Sequence, residues 1–356
     1  MASADGETSN NSNTPSVIDF QPDMGSKRRK GLHRPIPAQV FIKPSNDGTK
    51  PSKVFMLVNP YSGKKKGLKV AEAAKQLLEE SQVEVEMHLS QHSGHLVDIA
   101  SSLDVQPDQA IAVVGGDGSL SESITGWMMQ SKDNSTIRFG LIPAGTGNSQ
   151  AHDLGIKSTE DAVSRIVNGA TQSIDLARVE LTEGLPGNTK AQMIRYSHNL
   201  VTWGLGVDST IKAEKMRWMG SIRYDVGILM AIMANNRRHA SLYLDGRKME
   251  DDFTLFLIQN SQTGGSLLPL APGASLDDGL MDIGILKKMT RRDILKAFGL
   301  LKKEGRHVFH PRVDYHQFKQ LRIETPDPTA INIDGENIGS TPLSMEVLPS
   351  EVRVFH

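Results

Sequence analysis

From Lys53 onward the apolar positions follow two alternating periods. KVFMLV (residues 53–58) is a short apolar run closed by a turn-rich stretch, NPYSGKKKG, and LKVAEAAKQLLEE then places its apolar residues at helical spacing. VEVEMHL alternates as a strand, GHLVDIASSL is helical, AIAVV is a strand, SLSESITGWMMQ a helix and IRFGLI a further strand, which ends at PAGTGNSQAHDLG. Strands that alternate with helices predict right-handed βαβ crossovers, hence a doubly wound, mostly parallel α/β domain over residues 53–172 with helices on both faces. Beyond it, SIDLARVEL, YSHNLVTWGLG, ASLYLDG, DDFTLFLIQN, LMDIGIL, FKQLRIET, AINIDG and PLSMEVL are strand-like runs separated by Gly, Pro and Asp turns. They predict a mostly antiparallel second domain over residues 173–356, interrupted by helices near 211–235 and at TRRDILKAFGLLKKEG. Residues 1–52 show no sustained period and are too polar to bury a core, which predicts a disordered tail.

Composition changes this picture mainly by exclusion. Of 356 residues, 38% are apolar and 23% charged, and the net charge of −1 gives no global attraction to nucleic acid. The chain has no cysteine, so disulfides, thiolate metal sites and a cysteine nucleophile are excluded. The N-terminal stretch MASADGETSNNSNTPSVIDF has neither a basic start nor an apolar core, and no run of about 18 apolar residues occurs. The expectation is a cytoplasmic protein, peripheral at membranes rather than inserted. The basic run Lys27–Lys30 reads first as a solvated segment, with a nuclear signal or an acidic-lipid contact as the functional alternatives. The histidines of HVFHPRVDYHQF are irregularly spaced and suggest no zinc site.

Three loops carry the chemistry: residues 59–67, 115–119 and 143–148. Each is rich in glycine and follows a predicted strand, so all three open on one edge of the sheet, where ligands of such sheets sit. Backbone N–H groups freed by glycine suit a polyphosphate. Neither a Walker A loop nor G-x-G-x-x-G is present. Asp117, between Gly116 and Gly118, is out of place beside bare phosphate unless a cation or a proton-bearing reactant lies between.

NPYSGKKKG, GGDGSLSESITGW, IPAGTGNSQAHDLG, APGASLDDGLMDIGIL and NIDGE occur in the order and at roughly the spacing of the diacylglycerol, sphingosine and ceramide kinases. The chain resembles that lipid kinase family from Lys53 to its C-terminus. EKMRWMG and IRYD are most similar to the sphingosine and ceramide kinase branch. The resemblance implies an α/β nucleotide-binding domain, a β-sandwich lipid-binding domain and, in the cleft between them, transfer of the ATP γ-phosphate to the primary hydroxyl of a sphingoid lipid, with diacylglycerol as the alternative acceptor. Asp117 resembles the family's general base, and Gly115, Gly116 and Gly118 leave room for the lipid head and the γ-phosphate to meet. The resemblance assigns nucleotide contacts to Asn59, Pro60, Tyr61, Ser90, Gly94, Gly145, Thr146 and Gly147. It adds Arg217 and Arg223 from the second domain, and Asp334, Gly335 and Glu336 from the DGE turn. Arginine suits phosphate because its planar fork engages two oxygens at once. Glu122 is either a nucleotide contact or, as Ser119-x-x-Glu122, half of a capping box. The chemistry calls for Mg²⁺ with one or two protein carboxylates, Asp334 being the candidate.

The acceptor lipid is legible only in outline. Asp208 falls where the family commonly has an acid, but where sphingosine kinases carry a second acid for the free amine this chain has Thr210. A hydroxyl cannot form that ion pair, which points away from sphingosine and toward an N-acylated or amine-free lipid; against this, Asp208 or Glu214 can supply the charge, and the chain has GTGN and lacks the clustered cysteines of animal ceramide kinases. The Leu- and Met-rich GILMAIMANN suits either an acyl-chain pocket or a plain core helix. Leu267, Leu268 and Leu270, in a glycine-flanked loop, are the expected apolar contacts with a bilayer.

Overall fold

The computed structural model describes residues 48–130, 137–188, 190–219, 222–265 and 267–356. The basic run Lys27–Lys30 and nearly all of the expected tail lie outside them.

The first half is built on four parallel strands, β1 (Lys53–Val58), β2 (Glu84–Leu89), β3 (Ala110–Gly115) and β4 (Arg138–Pro143), in the spatial order β4-β3-β1-β2. Every residue of β3 is buried, as a central strand covered on both faces requires. The connections are α1 (Ser62–Lys65), which is a single irregular turn, α2 (Gly67–Glu80), α3 (His95–Ser102) and α4 (Asp117–Met128), and α5 (Ser149–Asp153) and α6 (Thr159–Asn168) follow β4. α2 buries Ala71, Ala74 and Leu78, one stripe at helical spacing. α6 begins where the Ser158 side chain accepts from Asp161 N–H and ends on left-handed Gly169, φ 76°.

The second half comprises β5 (Thr171–Glu183), β6 (Gln192–Ser197), β7 (Leu200–Gly204), α7 (Leu205–Glu214), α8 (Ile222–Ala234), β8 (Arg238–Leu244), β9 (Arg247–Gln259), β10 (Met281–Lys287), α9 (Arg291–Leu301), β11 (Val313–Phe318), β12 (Gln320–Glu324), β13 (Ala330–Ile333) and β14 (Glu336–Phe355). Its strands pair with one another antiparallel throughout. The core between them is anchored by Trp203, Phe253 and Phe256, with the Trp203 and Phe256 rings stacked 4.6 Å apart. α8 and α9 close a smaller apolar cluster with Leu200, Leu255 and Leu257.

Two expectations need correction. The helix expected over 211–235 is α7, a 3-10 turn at Arg217–Met219 and α8. The expected break at 172/173 is not a clean one either. β14 pairs along its length with β13, β12 and β5, then ends with Arg353 and Val354 in parallel register with Arg138 and Phe139 of β4. Val352, Val354 and Phe355, together with Ile174 and Leu176, complete the first core. A strand of continuous hydrophobic alternation can serve two cores because each requires only alternate side chains.

Candidate active site

The three glycine loops meet at the carboxyl ends of β1, β3 and β4. Asn59 N–H donates to Val114 O at 3.0 Å and its side-chain amide donates to Ser119 Oγ at 3.2 Å. Ala144 and Gly145 N–H both donate to Gly115 O, at 2.8 and 3.1 Å. The loops touch so closely that a side chain would not fit: a Cβ on Gly145 would lie 2.7 Å from Gly116 Cα, and one on Gly63, whose φ is 55°, 2.1 Å from Ala144 O.

From this junction a cleft of about 480 Å³ runs between the halves. Its polar end is lined by Asn59, Gly116, Asp117, Gly118, Glu122, Gly145, Thr146, Gly147, Asp334, Gly335 and Glu336. Its other end is lined by Ile228, Leu255, Leu257, Leu268, Phe298 and Leu301. One cavity therefore joins amide-rich loops to an aliphatic pocket.

Four acids stand at the polar end, each held differently. Asp117 accepts from the N–H groups of Ser149 and Gln150, at 2.9 and 3.0 Å, the first amides of α5. A carboxylate has about four acceptor positions, so two are left. Glu122 accepts from Gly94 N–H at 2.8 Å and Leu96 N–H at 3.2 Å, where α3 begins. Glu336 hydrogen-bonds to Glu122, and burial together with the Glu122 charge pushes its carboxyl up to about 8, against a partial offset from Arg195. Asp334 is spent on structure: Oδ1 accepts from Ser197 Oγ, Asn199 N–H and Leu200 N–H, and Oδ2 from His198 N–H.

Asp334, the metal ligand expected from the sequence, has Oδ1 taken by three donors and Oδ2 by one, which leaves it little acceptor capacity for a cation. Glu122 and Glu336 are the other candidates, two neighbouring carboxyls on the cleft wall of the kind that a hard cation takes as oxygen ligands. The capping-box reading of Glu122 also fails, since α4 is capped at Gly116 without a side-chain bond and Glu122 sits on α4 facing α3.

The other expected residues divide by position. Asn59, Gly116, Gly118, Gly145, Thr146, Gly147, Gly335 and Thr210 line the cleft. Pro60, Tyr61, Ser90, Gly94 and Gly115 do not; Tyr61 points outward, 64% exposed, and Ser62 and Gly63 take that stretch's place in the wall. Gly94 acts through the N–H it gives Glu122. Gly115 stays glycine because a Cβ would lie 2.4 Å from the Ser119 side chain. Asp208 pairs with Arg238 at 2.7 Å and lies outside the cleft wall. Arg223, half-buried on α8, is likewise outside it, and the side chain of Arg217 lies outside the described residues. Thr210 Oγ1 lies 2.9 Å from Asn337 Oδ1, which also accepts from Asn332 Nδ2 at 2.9 Å. Sequence reasoning missed Asn199, Asn332, Asn337 and His198, whose contacts arise from β7 and β13 lying side by side and not from any local motif.

Residues 53–179 match the family described as diacylglycerol kinase catalytic domain, and residues 199–356 match the YegS C-terminal NAD kinase beta sandwich-like domain. Sphingosine kinase 1 of Arabidopsis thaliana is 28% identical over 342 residues, spanning 81% of this chain and 68% of its own. A diacylglycerol kinase of Mycobacterium tuberculosis (strain ATCC 25618 / H37Rv) is 29% identical over 314 residues, spanning 85% and 94%. The crystal structure of a diacylglycerol kinase from Bacillus anthracis str. Sterne superposes with a TM-score of 0.67 at 21% identity, covering 86% of this chain and 98% of that one, and shares the fold. With both domain families matched in order along one chain, and an amide-lined loop junction opening into an apolar pocket, the protein belongs to the lipid kinase family and is a phosphotransferase.

Proposed function

We propose that the protein transfers the γ-phosphate of ATP to the primary hydroxyl of a sphingoid lipid. The observation that carries this reading is the single cleft that joins the glycine loops to the aliphatic pocket of Leu255, Leu257, Leu268 and Phe298. The loop amides of Gly145, Thr146 and Gly147 receive the phosphates, and the lipid chains lie toward α8 and α9. The lipid hydroxyl oxygen attacks the γ-phosphorus, the new P–O bond forms as the bond to the β–γ bridging oxygen breaks, and ADP leaves. Asp117, oriented by Ser149 and Gln150 N–H, takes the hydroxyl proton on a free acceptor position. Glu122 and Glu336 would hold the magnesium ion, which supplies neutralisation of phosphate charge.

Apart from the four acids described above, the lining where the head group would sit is uncharged: Thr210 and Asn332 offer hydroxyl and amide groups. Asn337, behind Thr210, donates to Glu214 Oε1 at 3.2 Å, and the nearby Asp208 is neutralised by Arg238. This supports an N-acylated sphingoid over a free amine. The same neutrality favours a second reading, diacylglycerol as acceptor, which the Mycobacterium tuberculosis relative's name shares.

Contact with a lipid surface belongs to the same reading. Leu270 is buried and Leu268 packs in the α8–α9 cluster, which leaves only Leu267 of the expected trio exposed. Exposed apolar groups also include Trp218, Ile222, Leu229, Met230 and Met233 on and just before α8, with Leu295 on α9. Arg291, Arg292, Lys296, Lys302 and Lys303, on and just after α9, are exposed, with Lys302 paired to Asp225 of α8, and such basic groups suit an anionic bilayer. Among the described residues no helix is long and apolar enough to cross a membrane.

Labelled ATP offered with sphingosine, ceramide and diacylglycerol side by side tests the assignment. Labelled ceramide phosphate is the expected product, and Asp117→Asn is expected to lower kcat by about 10²–10⁴-fold with ATP binding retained. Label on diacylglycerol alone selects the second reading, and wild-type turnover in the Asp117 variant removes the base.

A further inference from the structure

A histidine that belongs to no motif lies under the site, wholly buried at the end of β6. We propose that His198 is the positioning residue that fixes Asp117, an inference that rests on the kinase reading above. Its Nε2 lies 3.1 Å from the main-chain oxygen of Asp117. A carbonyl only accepts, so Nε2 bears the hydrogen and Nδ1 keeps its lone pair. Nδ1 lies 3.1 Å from Gln150 Oε1 as the amide is placed, and Gln150 Nε2 has no hydrogen-bond partner among the described residues. Turning the amide by 180° brings its NH₂ to the lone pair of Nδ1, the exchange of O and N that this tautomer calls for.

The result is a closed ring of hydrogen bonds. Gln150 N–H donates to Asp117 Oδ1, the Gln150 side chain meets His198 Nδ1, and His198 Nε2–H returns to Asp117 O. Asp117 is thereby gripped at its carbonyl and at its carboxylate by groups that also grip each other. His198 itself is fixed to the opposite half of the molecule, where its N–H donates to Asp334 Oδ2 at 3.3 Å and its carbonyl accepts from Asn260 Nδ2 at 3.3 Å. The DGE turn, the GGDG loop and the start of α5 are therefore set relative to one another through one imidazole. A displacement of the base by about 1 Å costs on the order of 10²-fold in rate, so the ring matters to turnover without touching substrate.

His198→Gln places an amide NH₂ near the position of Nε2 and keeps the bond to Asp117 O, whereas His198→Asn reaches only toward Gln150. Amide hydrogen exchange at Ser149 and Gln150, whose N–H groups are held by Asp117, reports the ring without any reaction. We expect exchange about tenfold faster in His198→Asn and near wild type in His198→Gln, with kcat falling about 10–100-fold in the Asn variant alone and KM for ATP unchanged in both. Should His198→Asn fail to fold, His198→Met, which fills the space but donates to neither Asp117 O nor Gln150, takes its place and is expected to show the same faster exchange at Ser149. Equal exchange in wild type and variants overturns the role of His198 whatever the activity, as does a kcat loss shared equally by the Asn and Gln variants. If the exchange pattern is as expected but wild type labels none of the three lipids, the kinase reading fails and the positioning role stands.

Discussion

Glu336 retains a proton because it is buried beside the Glu122 charge, which Arg195 only partly offsets. Its folded value, about 8, is above the ordinary 4.5, so between those values the folded protein binds the proton that the unfolded chain releases. The contribution to stability is complete below about pH 4.5 and disappears as pH rises through 8. Glu336→Gln removes that loss. The variant is expected to melt at the wild-type temperature at pH 4 and above it at pH 8.5, while losing the thermal shift produced by ATP with Mg²⁺. An unchanged ligand-induced shift would take Glu336 out of the cation site. At this scale the sequence was partly readable. Asp117 and its glycines stood out because a carboxylate amid phosphate-binding glycines has few structural reasons to be there. The roles within IDGE did not, since Asp334 adopts a left-handed φ of 47° that turns its carboxylate inward to four donors and leaves Glu336 facing Glu122.

Among the elements, the strand-end loops work as a unit because each fills space the next requires empty. Gly63 in α1 and Gly145 after β4 are glycine for contact reasons, and the Gly63 conformation would also be strained for any other residue. Gly63→Ala is expected to push the residue 143–147 loop from its seat, raising KM for ATP at least tenfold with little change in lipid KM. Equal effects on both substrates in a steady-state assay would mean that the loop does not serve the nucleotide end. The βαβ order of the first half was legible because strand and helix periods differ and glycine marks their junctions. The α7–α8 break was signalled only by Gly220, which lies between Arg217 and Arg223, since apolar residues continue across both helices. The partnership of β7 with β13 was not legible at all, because it depends on a pairing between residues about 130 apart whose register nothing local sets.

The two halves form one molecule through β14, which leaves the second core to complete the first and so fixes the width of the cleft between them. A cleft that takes up a lipid must also face the lipid's source, and α8, whose Ile228 lines the aliphatic end, carries four exposed apolar side chains, Ile222, Leu229, Met230 and Met233. Arg291 Nε donates to Met233 O at 2.7 Å, which holds the basic start of α9 against the end of that apolar face. Transfer of one exposed leucine into the bilayer boundary is worth about 1.5–3 kcal/mol, so replacing it with a charge lowers partition by roughly tenfold or more. Leu229→Glu and Met233→Glu lie outside the cleft wall. Each is expected to weaken sedimentation with phosphatidylserine-containing vesicles by about tenfold and to leave kcat on a short-chain, monomeric acceptor unchanged. Vesicle binding at the wild-type level in both variants would place the membrane contact on another face, and a matching loss with the monomeric acceptor would show that α8 shapes the pocket instead of the approach to it.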